Sequence, residues 1–176
     1  MKRMILLSYF LASLVVFFLL VNQIYSISVA SEIPLPSDIN IVAPDPSLPE
    51  EFQAISGKWR GHWGGSGMET ILIIEKIDRH VAEVIFATGD IVPGGFMAGS
   101  GSKKGGWSRT KYKVNYNAGE IILEREGIPG QRDAIKFTFK KDKPDILEGF
   151  LIRSGYVTGG AGRVLPTYEI RMKKIK

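Results

Sequence analysis

Hydrophobic and polar positions alternate with a period of two along most of the chain after residue 57. In Ala134–Lys140, Ile135, Phe137 and Phe139 point one way while Lys136, Thr138 and Lys140 point the other. Tyr112, Val114 and Tyr116 alternate in the same sense with Lys111, Lys113 and Asn115, and Tyr168, Ile170 and Met172 with Glu169, Arg171 and Lys173. Such segments read as strands with one face in a core and one face in water. Weaker or two-sided apolar runs at Lys58–Trp63, Thr70–Ile77, Val81–Ala87, Glu120–Arg125 and Ile146–Arg153 bring the set to eight. Turn chemistry separates them at Asp78-Arg79-His80, Asn117-Ala118-Gly119, Pro129-Gly130-Gln131 and Asp142-Lys143-Pro144-Asp145. Helical spacing is almost absent, so the fold class expected is all-β. Eight short strands with mostly tight connections close most economically into an antiparallel up-and-down eight-stranded barrel, which leaves no unpaired edge. Two connections are longer and rich in glycine, Gly89–Gly106 and Ser154–Gly162, and the topology invites them to share one rim.

The segments ahead of residue 57 differ in kind. Lys2 and Arg3 precede an apolar run from Ile5 to Val21, the layout of an export signal, here an N-terminal hydrophobic signal helix. Its length, about 26 Å as a helix, also approaches what a membrane span requires. Two readings stay open: a signal peptide over 1–30 cleaved near Ala30, after the small residues Ser28-Val29-Ala30, leaving a periplasmic or secreted protein, or an uncleaved anchor formed by residues 5–21. Either way the membrane is met only through this segment. Residues 31–56 carry Pro34, Pro36, Pro44, Pro46 and Pro49 together with five acids and no Lys or Arg, which reads as an extended, Pro-rich acidic linker. Residues 57–176 form the barrel domain.

Charge sharpens this division. The whole chain of 176 residues is formally +5, but taking away the two basic residues of the first segment and the five acids of the second leaves 21 basic and 13 acidic residues in the barrel, a formal +8. Lys103, Lys104, Arg109, Lys111 and Lys113 concentrate in the long loop and the fourth strand as a basic patch suited to an anionic envelope component. Export removes nucleic acid as a partner. The absence of cysteine excludes disulfides, thiolate metal sites and cysteine nucleophiles. His62 and His80 are the only histidines and lack metal-ligand spacing, so no metal, no cofactor and no catalytic residue is assigned. Ser100-Gly101-Ser102-Lys103 matches a serine–lysine motif only in letters, since it lies in a glycine loop and not at a helix start.

At Gly57-Lys58-Trp59, directly after the extended arm, the chain resembles the G-x-W signature of the lipocalins and the wider calycin group. The longer stretch Gly57-Lys58-Trp59-Arg60-Gly61-His62-Trp63, with Leu72–Lys76 and Gly106-Trp107-Ser108-Arg109, resembles exported bacterial β-domains with a GxWxGxW start. The resemblance implies a barrel in which Trp59 closes one end and an Arg or Lys of the last strand packs across it, which nominates Arg171 or Lys173. Alternation puts Arg171 on the wet face, a departure from that pattern.

These features together give the expectation of an exported lipocalin-like barrel that binds a small apolar or amphipathic ligand at its loop-bearing end. The candidate ligand-binding residues are Trp63, Glu75, Phe96, Trp107, Tyr112, Arg125 and Arg153, with Gly57 and Trp59 structural. Glu75, Arg125 and Arg153 interrupt apolar alternation; a charge there either meets a polar ligand head, forms a structural ion pair or lies outside. The aromatics either fill the interior or line a cavity, because an eight-stranded barrel is just wide enough for one or the other. Two further readings compete: a non-catalytic envelope interaction domain using the basic face, and a hydrolytic enzyme using Asp90, Glu75 or His62 as acid or base.

Overall fold

The computed structural model describes residues 33–64, 67–90, 104–125, 134–152 and 167–176. The expected signal helix, Phe96, Lys103 and Arg153 lie outside the described residues. Eight antiparallel strands form a closed up-and-down barrel in sequence order: β1 Gly57–Trp63, β2 Glu69–Ile77, β3 Val81–Thr88, β4 Gly106–Asn117, β5 Glu120–Arg125, β6 Ala134–Lys140, β7 Ile146–Ile152 and β8 Thr167–Ile175. Closure is made by β1 on β8, with Trp59 opposite Lys174 and Trp63 opposite Ile170. Among the described residues no helix is long and apolar enough to cross a membrane.

Up-and-down order sorts the connections by length. The turns Asp78–His80, Ala118–Gly119 and Lys141–Asp145 gather at one end, and the strand ends Trp63, Glu69, Thr88, Gly106, Arg125, Ala134, Ile152 and Thr167 at the other. The first end is closed by a short helix, α1 Glu50–Ile55. The proline density of the linker forbids helix only up to Pro49; immediately after it, Glu50 and Glu51 occupy the first turn, where the helix dipole favours acids. Phe52 and Ile55, one turn apart, are both wholly buried against the barrel. Lys141, in the β6–β7 turn, pairs with Glu50 and lies 3.6 Å from Glu51, tying helix to barrel.

Residues 33–49, without helix or strand, lie against the barrel. Ile33 packs beside Gly89 at the loop end, and the arm runs down the outside of β2 and β3 to α1. The Val42 N–H donates to the Glu75 carbonyl at 2.7 Å and the Asn40 N–H to Glu75 Oε1 at 3.0 Å. Ile33 joins Ile71, Ile73, Ile85 and Ala87 in a second apolar cluster on the outer face, with Ile39 half-buried against it. Those strand residues point away from the barrel axis, so the arm covers what the barrel alone leaves in water. The arm is a strap, and the compact unit begins at Glu32.

Inside, the helix-end half is filled by side chains. Trp59 is wholly buried, donates from Nε1 to the Ile55 carbonyl at 2.8 Å and meets Phe139 edge-on at 6.2 Å between ring centroids. The packing stays tight up to mid-barrel: a Cβ on Gly149, in the middle of β7, would come within 2.6 Å of Ile170 and of the Phe137 ring. Gly57 has φ +116°, a conformation that glycine alone adopts cheaply, and makes the turn from α1 into β1.

Candidate functional site at the loop end

Pairing register decides which residues face the axis. Ala82 pairs with Tyr112, Val84 with Thr110, Phe86 with Ser108 and Thr88 with Gly106, so β4 presents Gly106, Ser108, Thr110 and Tyr112 inward near the loop end. On β5 the inward set is Ile121, Leu123 and Arg125; on β6, Ile135, Phe137 and Phe139. The loop-end half of the interior is therefore walled by Trp63, Phe86, Tyr112, Arg125, Ile135 and Tyr168. It is not filled like the helix end. Ser108 is exposed, Phe86, Thr88 and Thr110 are half-exposed, and a Cβ added at Gly106 would meet nothing within 4 Å.

The floor of this cup is made of Trp63, Tyr112 and Phe137. Trp63 donates from Nε1 to Thr70 Oγ1 at 2.9 Å, both groups buried, which satisfies a polar pair in an apolar setting. The Tyr112 ring packs on Phe137 at 6.1 Å. Its hydroxyl is buried, makes no hydrogen bond of good geometry among the described residues, and has the Arg125 guanidinium as its interacting neighbour. Burial pushes that hydroxyl's pKa up, opposed by the nearby positive charge of Arg125, which stands one step along the ladder beyond the Lys113–Glu124 pair. Arg125 is half-buried, and no carboxylate among the described residues pairs with it.

Other candidates fall elsewhere. Glu75 is not inside: it continues the outward series of Ile71 and Ile73, the bulge between Ile74 and Lys76 only returning Ile77 to the core, and the strap buries it to 7% side-chain exposure. There Arg109 Nε donates to Glu75 Oε2 at 2.8 Å, and its Nη2 lies 3.2 Å from Asp38 of the strap. Arg109 is thus consumed by a clasp and withdrawn from the basic patch. Lys111 lies 3.9 Å from Glu83, while Lys104 and Lys113 are exposed. Trp107 is also outside the barrel, 45% exposed, because it pairs with the outward Ala87. Gly57 makes the turn from α1 into β1, and Trp59 is wholly buried at the helix end. The cation across Trp59 is neither Arg171 nor Lys173 but Lys174, whose Nζ sits 5.5 Å from the indole centroid and bonds to the Ala54 carbonyl. Residues 168, 170 and 172 point inward, and 174 continues that series.

The residues named for an enzyme do not converge. His62 is exposed on the outside of β1, 3.7 Å from Glu69, whereas Glu75 lies about 20 Å along β2 beneath the strap. Asp90 accepts the Gly105 N–H at the loop rim, and His80 sits in the turn at the opposite end. Among the described residues no cluster of His, Cys, Asp and Glu is arranged to hold a metal ion.

The clasp has a testable acid sensitivity. The hydrogen bond from Arg109 holds the Asp38 carboxyl below the ordinary aspartate range, against a smaller opposing effect of burial. An acid with a depressed folded-state pKa contributes stability that is present at neutral pH and lost as pH falls through the folded value. Amide exchange of residues 38–43 is therefore expected to accelerate below about pH 4. Arg109→Gln is expected to show the faster exchange already at neutral pH, and equal protection in both proteins at both pH values would refute the clasp.

The fold and the cup together define a closed, up-and-down, eight-stranded antiparallel β-barrel, plugged at one end by a helix and, among the described residues, uncovered on its inner wall at Gly106 and Ser108 at the other. No family model matches the chain, and neither the curated proteins nor the solved structures contain a match.

Proposed function

We propose that this chain is an exported, lipocalin-like binding barrel that takes a small apolar or amphipathic ligand into the cup at its loop end. The observation that carries the reading is the contrast between the two halves of the interior. Around Gly149 there is no room for a methyl group, whereas around Gly106 and Ser108 the inward face is open. A barrel of this strand number is just wide enough for one small ligand, and here the packed half supplies a rigid floor under the open half. The helix plug, the tryptophan on β1 and the cation of β8 across it agree with the calycin resemblance. The alternative, an envelope interaction domain, would use the exposed Lys104 and Lys113; the capture of Arg109 by Glu75 and Asp38 weakens that face.

The test is native mass spectrometry of the protein purified gently from exporting cells, set against its denatured mass. The expected result is a reproducible mass difference that disappears on denaturation. Equal masses, together with no fluorescence gain from the neutral apolar probe N-phenylnaphthylamine, would overturn the binding-barrel reading and direct attention to the outer lysines.

A further inference from the structure

We infer that the cup selects an apolar anion, a small aromatic or aliphatic body bearing one carboxylate or similar acid group that seats on Arg125 and the Tyr112 hydroxyl; this rests on the binding-barrel reading above. The first support is the distribution of charge across the sheet. By register, every glutamate of the eight strands points outward, and the strands contain no aspartate. Among the described residues the interior wall therefore carries no anion of its own. Those residues include two inward cations, Lys174 and Arg125, and Lys174 at the helix end is occupied by the Ala54 carbonyl and the Trp59 ring. Arg125 is left at the loop end, half-buried, inward and without a carboxylate among the described residues.

The second support is independent of charge. Tyr112 has its ring fixed against Phe137 and its hydroxyl sealed from water, with the Arg125 guanidinium as its interacting neighbour and no hydrogen bond of good geometry among the described residues. A buried hydroxyl without a well-formed hydrogen bond is costly, and evolution removes it cheaply by phenylalanine unless it has work to do. A guanidinium and a hydroxyl beside one another supply donors to the oxygens of a single acid group. The filled region below Tyr112 stops a chain from descending, so the acid group sits deep and the apolar body faces Trp63, Phe86 and Ile135 toward the loops. That geometry favours a compact body over a long acyl chain.

A pair of fluorescent probes with one skeleton separates the possibilities: anilinonaphthalene sulfonate, which carries an acid group, and N-phenylnaphthylamine, which does not. Titrated into the full chain, the sulfonate is expected to bind at least about ten-fold more tightly than the neutral amine. Arg125→Gln is expected to weaken the sulfonate by about ten- to a hundred-fold and leave the amine unchanged, with Arg125→Lys recovering part of the loss. Tyr112→Phe, which keeps the packed ring, is expected to cost the sulfonate about three- to ten-fold. Equal binding of both probes, indifferent to these substitutions, would overturn the anion inference while leaving a binding barrel. A sulfonate preference that survives Arg125→Gln would overturn it too, by assigning the anion to the outer lysines. Binding of neither probe would overturn both the inference and the reading it rests on.

Discussion

Replacing Trp59 by alanine is expected to destabilise the protein by about 3 to 5 kcal/mol, visible as a denaturant midpoint that falls steeply while the slope of the transition stays the same. The indole is wholly buried where α1, β1 and β8 meet, and it does three things there. It fills volume against Phe139, so its removal leaves a cavity that a closed sheet cannot collapse around. It satisfies the Ile55 carbonyl at the last turn of α1, which is otherwise an orphaned acceptor in an apolar setting. It also supports the aliphatic stem and ammonium of Lys174, whose pKa burial pulls down, so the loss would return that cation to solvent. Trp59→Phe separates these contributions, because it keeps most of the volume and removes the hydrogen bond; it is expected to cost about 1 to 2 kcal/mol. A midpoint unmoved by alanine would mean that Trp59 is not the plug of this end.

Much of this architecture is written in the alternation of single strands, and the exceptions have physical causes. Ala134–Lys140 is legible because its outer face is wet, so the two faces differ in every residue. Thr70–Ile77 is apolar on both faces because two different partners cover it: the core covers Leu72 and Ile74, and the strap covers Ile71 and Ile73. A two-sided run in an otherwise one-sided barrel marks an outer cover, and Ile33 and Ile39 in the acidic linker are the matching signal. Proline content favours an extended chain up to Pro49; it carries no information on whether an extended segment is docked. The fourth strand is harder to read at its beginning. Gly106, Ser108 and Thr110 face inward yet are small or polar, so the pattern that identifies Lys111–Tyr116 as strand fails five residues early and the segment looks like loop. With the strand begun at Gly106, parity places Trp107 and Arg109 outside at once. The polar inward residues that hide the strand are the same ones that open the cup, so the site is least legible where the interior departs from a packed core.

Shortening the chain to begin at Gly57 is expected to have the largest effect of any change considered, a loss sufficient to leave the barrel unfolded or aggregated at ambient temperature. A free tether would be dispensable, whereas this segment contributes on both sides of the sheet. Without α1, Phe52 and Ile55 no longer cover Trp59 and Phe139 at the helix end, and burying two such side chains is worth about 2 to 5 kcal/mol each. Without the strap, Ile71, Ile73 and Ile85 form an exposed apolar stripe on a flat part of the sheet, the kind of surface that recruits other chains. The buried Glu75 also loses the Asn40 and Val42 amides that serve it and its backbone, keeping only Arg109. Since whole domains are stable by only about 5 to 15 kcal/mol, these losses are comparable with the total. A chain beginning at Glu32 retains both elements and is expected to fold with an unchanged midpoint. Cooperative unfolding of the Gly57 form at the same midpoint as the Glu32 form, by circular dichroism, would show that strap and helix lie on the barrel without stabilising it.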